Sequence, residues 1–210
     1  MRVHRATNTC VRVVLFDVGG VILPAADPKL VLQLENQICL REQSLSAFLF
    51  KQESWYALST GRIDHEQYWC SLAKQIGWDK HALRDLLASI HTPPDVDRQV
   101  VEIARAVSSQ VPVAILSNAT ITLEEQLSAL GVASLFNPII NSARVGLRKP
   151  DREIFRYAIR LLGVPAGTIL FVDDKQRHTV VAEDLGIRCI QFINAEQLAT
   201  AVEAYGISPR

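Results

Sequence analysis

The chain alternates between short, almost wholly apolar runs and longer stretches in which apolar residues return every three or four positions. The short runs fall at 11–16, 111–116, 138–141, 168–172 and 188–193, each rich in Val, Ile, Leu or Phe and without the polar alternation of a half-exposed strand. Such runs suit strands covered on both faces, as in a parallel sheet. The stretches at 97–109, 122–130, 151–162, 176–185 and 196–205 carry the helical period instead. Strand and helix in strict alternation from about residue 97 predict right-handed crossovers and a doubly wound, Rossmann-like α/β sheet.

The alternation is interrupted once. Residues 24–95 supply no convincing strand, while Leu30, Leu34 and Ile38 fit one helix face and Trp69, Leu72, Ala73 and Ile76 fit another, with Gly61, Gly77 and Pro93-Pro94 as punctuation. The expected organisation is an α/β core built from 1–23 and 96–210, with a helical cap at 24–95 inserted directly behind the first strand. Internal repeats and low-complexity segments are absent.

Composition narrows the partners. A chain of 210 residues with 49% hydrophobic and 21% charged residues can form one good core and a smaller appendage. Lys plus Arg and Asp plus Glu number 22 each, which leaves no electrostatic footprint for nucleic acid or an acidic membrane surface. Arg2, His4 and Arg5 precede an apolar run too short for a secretory signal, and no segment reaches the roughly 18 to 20 apolar residues of a membrane span. A cytoplasmic monomer or homodimer is expected. Cys10, Cys39, Cys70 and Cys189 show no metal-ligand or disulfide spacing and are expected as reduced, mostly buried thiols.

The strand ends carry the chemistry. The first run closes on Asp17 and a Gly19-Gly20 turn, the second on Ser117-Asn118, and the fourth on Asp173-Asp174; the loop 146–151 reads Gly-Leu-Arg-Lys-Pro-Asp. In parallel α/β sheets the carboxyl edge of the strands is where ligands bind. A carboxylate, a hydroxyl, a cation and an acidic pair on one such edge outline a phosphate and magnesium site, since Mg²⁺ prefers hard oxygen ligands. Taken singly, each residue has a plainer reading: Ser117 as a helix cap, Lys149 as a solvated lysine, Asp151 as a helix-start device, Asp173-Asp174 as an acidic turn. His178, one turn beyond that pair, fits a supporting or surface position better than ligation, and Trp55, Tyr56, Tyr68 and Trp69 fit helix packing.

Together and in order, Asp17-Val-Gly-Gly-Val, Ser117-Asn118, Lys149-Pro150-Asp151 and Val172-Asp173-Asp174 resemble the four motifs of the haloacid dehalogenase-like hydrolase superfamily, and the insert after the first resembles the helical cap of its first subclass. The segment from Gly61 to Trp69 is similar to a recurring start of a cap helix. The resemblance implies a hydrolase of small phosphorylated molecules, with Asp17 as the nucleophile that forms an aspartyl-phosphate. It implies Mg²⁺ held by Asp17, the Gly19 carbonyl and an acid of the 173–174 pair, Asp174 directly and Asp173 in support. Ser117 and the backbone N–H groups of Asn118 and Ala119 would hold phosphate oxygens, and Lys149 would neutralise charge on nucleophile and phosphoryl group alike.

Gly19 is the departure. The typical phosphatases of the superfamily carry at that position an aspartate that protonates the leaving group, help worth about 10²–10⁴-fold in rate. The founding dehalogenases also lack it, but they place an aromatic residue there, have a serine-rich fourth motif and need no metal, whereas Asp173-Asp174 keeps a metal site in outline. Certain sugar-phosphate phosphatases resemble this chain in having glycine, which makes a small phosphorylated metabolite, with sugar phosphates as the leading class, the expected substrate. Asp27 or His65 in the cap could supply the missing proton, and Arg62, presented by the Gly61 turn, could reach the substrate. A metal-independent 2-haloacid dehalogenase, a phosphate-transferring mutase and a non-catalytic binding protein are the alternatives.

Overall fold

The computed structural model describes residues 10–40, 44–88 and 95–209. Arg2, His4, Arg5 and the Pro93-Pro94 punctuation lie outside those residues. Five strands, β1 (Val13–Phe16), β2 (Val113–Ser117), β3 (Ile139–Asn141), β4 (Ile169–Asp173) and β5 (Arg188–Gln191), pair in parallel in the order β3-β2-β1-β4-β5. β1 is central, and the chain winds outward from it to β3 before crossing back to β4 on its other side. That reversal is the topological switch point at which open α/β sheets bind ligands.

After β1 come five helices, α1 (Pro28–Gln37), α2 (Leu45–Phe50), α3 (Glu53–Ser59), α4 (His65–Ile76) and α5 (Lys80–Ala88). The crossovers and the C-terminal segment supply α6 (Arg98–Ser108), α7 (Leu123–Ala129), a single turn α8 (Ser142–Val145), α9 (Arg152–Leu162), α10 (Gln176–Glu183) and α11 (Ala195–Glu203). Side chains alternate across each strand. Val14, Phe16, Ile115, Leu170 and Val172 therefore meet the apolar stripes of α6, α7 and α11, while Val13, Leu15, Leu116 and Phe171 meet α9 and α10 on the other face. This two-faced burial explains why the strand runs are apolar throughout.

Helices α1–α5 enclose a separate apolar cluster that includes Leu34, Ile38, Phe48, Leu58, Tyr68, Leu72 and Leu83. Their ends follow local rules: Asp27 caps α1 with Pro28 at its first position, Asp64 and Gln67 form a reciprocal capping box on α4, and Gly77 ends α4 at a φ of 68°. These helices meet the sheet layers at the Gly61 turn, where an added Cβ would run into the carbonyl oxygen of Ala143 on α8. Trp55, Tyr68 and Trp69 pack edge to face, with ring centroids 6.0 and 5.4 Å apart. Tyr56 instead faces outward.

Two expectations are corrected. Three cysteines, Cys10, Cys39 and Cys70, are exposed and only Cys189 is half-buried, because Cys70 lies off the Tyr68–Leu72 stripe of α4 and Cys39 sits in the turn after α1. The fifth strand stops at Gln191, which leaves Ile193 72% exposed in the loop beyond it. No described helix is long and apolar enough to cross a membrane.

Candidate active site

Strand register alone brings the acids together. Phe16 pairs with Val172 and with Ile115, so Asp17 stands level with Asp173 and beside the end of β2 at Ser117. The Asp17 amide donates to the Val172 carbonyl at 2.9 Å, which continues the ladder one residue past β1. Asp17 is buried, and its Oδ1 accepts from the Val18 amide at 2.7 Å.

Lys149 lies between the two carboxylates. Its side chain is wholly buried, with Nζ 2.9 Å from Asp17 Oδ1 and 2.6 Å from Asp173 Oδ2. Asp173 is further held by the Lys175 amide at 2.8 Å and by Nδ1 of buried His178 at 2.9 Å from each oxygen. Burial pushes the Asp17 carboxyl up to about 6; Lys149 pulls it down and Asp173 pushes with burial. At Asp173 burial also acts upward, but Lys149 and His178 outweigh it and hold the carboxyl well below the usual range. Burial lowers the His178 pKa, which the hydrogen bond to Asp173 only partly offsets, so the imidazole is a neutral donor. Asp173 thus fixes the lysine, and Asp17 keeps one oxygen without a donor.

Three oxygens near this pair lack hydrogen-bond partners among the described residues: Asp17 Oδ2, the Gly19 carbonyl and Asp174 Oδ1, the last buried and 3.7 Å from Lys175 Nζ. A Cβ on Gly20, whose φ is +85°, would fall 2.6 Å from Asp174 Oδ2, so glycine is what lets the turn close against that carboxylate. All three are hard donors of the kind Mg²⁺ takes, and they fit the ion. Asp17, Asp173 and His178 also bring ligand atoms within 4.8 Å of one another. A cation among those would face the Lys149 ammonium, and Asp173 has both oxygens engaged.

Ser117 is buried at the end of β2, and its hydroxyl bonds to no described residue. Asn118 acts through its side chain: Nδ2 donates to the Lys149 carbonyl at 2.7 Å and Oδ1 accepts from the Lys149 amide at 2.8 Å. The Ala119 amide, expected to face phosphate, is instead bonded to Ser142 Oγ at 2.9 Å, because α8 packs against this loop. Asp27 commits its carboxylate to the Lys29 amide at 2.8 Å as the cap of α1 and is exposed. His65 opens α4, half-buried, with no hydrogen bond to the other candidates. Arg62 is exposed, with its guanidinium carbon 5.1 Å from the Tyr56 ring centroid. Tyr56, expected as helix packing, instead carries a second guanidinium over its ring, that of Arg148 at 5.1 Å, a pairing the sequence does not reveal. The Arg148-Lys149 pair of cations was the only signal.

The sequence model of the haloacid dehalogenase-like hydrolases matches residues 11–186. A sesquiterpene phosphatase of Aspergillus oryzae is 24% identical over 200 residues, which span 93% of this chain and 95% of that protein. A solved enzyme of the same superfamily from Bacteroides thetaiotaomicron, complexed with magnesium and inorganic phosphate, superposes with a TM-score of 0.69 at 17% identity, covering 86% of this chain and 93% of that one. A solved L-2-haloacid dehalogenase gives 0.64 at 21% identity, covering 86% of each chain. With the match spanning most of its length and the acids and lysine gathered on one sheet edge, the chain belongs to the haloacid dehalogenase-like hydrolases.

Proposed function

We propose that the protein is a Mg²⁺-dependent phosphatase of small phosphorylated metabolites, acting through a phosphoryl group carried on Asp17. The observation that carries the reading is the buried Lys149 bridge between Asp17 and Asp173, set beside three hard oxygens without hydrogen-bond partners among the described residues. Asp17 Oδ2, the Gly19 carbonyl and Asp174 Oδ1 would hold the ion. Bound there, Mg²⁺ would neutralise phosphoryl oxygens and orient the phosphorus.

The rest is work for the chain. The Asp17 carboxylate attacks phosphorus as the ester P–O bond breaks, its electron pair leaving on the alcohol oxygen, which takes a proton from solvent; water later attacks the acyl phosphate, its oxygen passing to inorganic phosphate as Asp17 is restored. Lys149 neutralises both the nucleophile and the incoming phosphoryl group, while the Ser117 hydroxyl and the Asn118 backbone N–H donate to that group's oxygens. His178 and the Lys175 amide keep Asp173 in place, so that Lys149 does not collapse onto Asp17 alone. Helices α1–α5 act as a cap that admits substrate and then excludes water. The sesquiterpene phosphatase among its relatives supports a phosphate ester as substrate, and sugar phosphates remain in the same class.

The test is phosphate release from p-nitrophenyl phosphate, whose leaving group scarcely needs a proton. Turnover with Mg²⁺, loss after chelation and recovery on re-addition are expected. Halide release from 2-chloropropionate without metal, with no phosphate released from any ester, would overturn the reading in favour of a dehalogenase.

A further inference from the structure

Two features of the site point the same way. At Gly19 the backbone φ lies outside the left-handed region and an added Cβ would meet nothing within 4 Å, so neither conformation nor space demands glycine there. An acid could stand at that position, and the chain has none. Meanwhile Arg62, from the turn between α3 and α4, and Arg148, one residue before the Lys149 that touches Asp17, both face the ring of Tyr56 at 5.1 Å. Neither forms an ion pair among the described residues, although Arg148 is only 9% exposed. Asp151 acts on the Arg148 guanidinium without forming an ion pair with it, and Arg177 opposes that effect, so a buried guanidinium held this loosely gains from an anion that arrives to pair with it directly.

We propose, building on the phosphatase reading, that the substrate is a diphosphate ester, whose inner phosphate is received by Arg62 and Arg148 while Asp17 takes the outer one. Leaving-group chemistry links the two observations. An alcohol leaving as alkoxide, with a pKa comparable to the roughly 16 of water, needs a proton from an acid. A phosphate monoester, whose second ionisation lies near about 6, departs without one. In the step itself an Asp17 oxygen bonds to the outer phosphorus as the bridging P–O bond breaks. The electron pair stays on the bridging oxygen, which leaves as part of the monoester with one further negative charge. Two guanidiniums stabilise that charge where a proton otherwise would. Water then cleaves the acyl phosphate, its oxygen passing to inorganic phosphate and its protons to that phosphate and the solvent.

The probes are isopentenyl monophosphate and isopentenyl diphosphate, which share one alcohol, with p-nitrophenyl phosphate as the activated monoester. Phosphate release is measured with Mg²⁺ present. The expected kcat/KM on the diphosphate exceeds that on the monophosphate by at least about 10²-fold, the low end of what a general acid supplies. Arg148→Gln and Arg62→Gln should each cost at least about tenfold more on the diphosphate than on p-nitrophenyl phosphate, a selective loss that unfolding would not produce. Gly19→Asp should raise the monophosphate rate and narrow the gap. Equal turnover of the two isopentenyl esters by the parent, or equal losses on both probes in the arginine variants, would overturn the proposal while leaving the phosphatase standing. Silence on every phosphate probe would overturn both.

Discussion

At Asp17 burial and charge oppose each other, and burial wins by enough to move the carboxyl from 3.8 to about 6 in the metal-free protein. The sign has two consequences. Because the folded value is the higher one, the stability contributed by protonated Asp17 is present below about pH 4 and lost as pH rises through about 6. Ionised Asp17 is also the form that a cation needs, so protons compete with Mg²⁺ below that value. Calorimetric titration of the metal-free protein with Mg²⁺ should show affinity falling about tenfold per pH unit below about 6 and levelling above it. An affinity that stays flat between about pH 5 and 7 would contradict the assignment of Asp17 as a ligand. At this scale the sequence shows which residues are polar at strand ends. It does not show that Asp173 is held by three donors while Asp174 Oδ1 accepts no hydrogen bond from the described residues, because that difference arises only when Lys149 and His178 fold onto one carboxylate.

Among the elements, the loop after β2 and the loop before α9 are joined by Asn118, which both donates to and accepts from the backbone of Lys149. The lysine side chain must span from a fixed base to reach two carboxylates at once. Asn118→Ala removes two hydrogen bonds of about 1 kcal/mol each and loosens that base. The expected result is a kcat reduced by about 10- to 10²-fold with a smaller change in KM, since the lysine would be misplaced by a fraction of an ångström. A variant with parental kcat would show that the clamp is dispensable. The five strands were legible because burial on both faces leaves an apolar run with no polar alternation, and α6 and α9 because apolar residues return at the helical period over 97–109 and 151–162. The short helices α2 and α3 and the single turn α8 were not individually legible, since a few residues give too little periodicity. The Asn118 bridge joins positions 31 apart in sequence, which no local pattern encodes.

Across the whole molecule the sheet supplies a rigid edge on which four loops converge, and α1–α5 form a second apolar cluster seated on it at Gly61 and Ala143. The helical character of α1, α4 and the stretch around them could be read from periodicity, yet the seam could not: Tyr56 looks like any helix aromatic until Arg62 and Arg148 are found over its ring. Every step of the proposed turnover passes through Asp17 as a covalent carrier, so rapid acid quenching during steady turnover of p-nitrophenyl phosphate with Mg²⁺, followed by peptide mass analysis, tests it directly. A phosphoryl adduct on Asp17 is expected, absent from the Asp17→Asn variant, which should also lose at least about 10³-fold in kcat. Sustained turnover with the adduct on another residue, or in the Asp17→Asn variant, would contradict it.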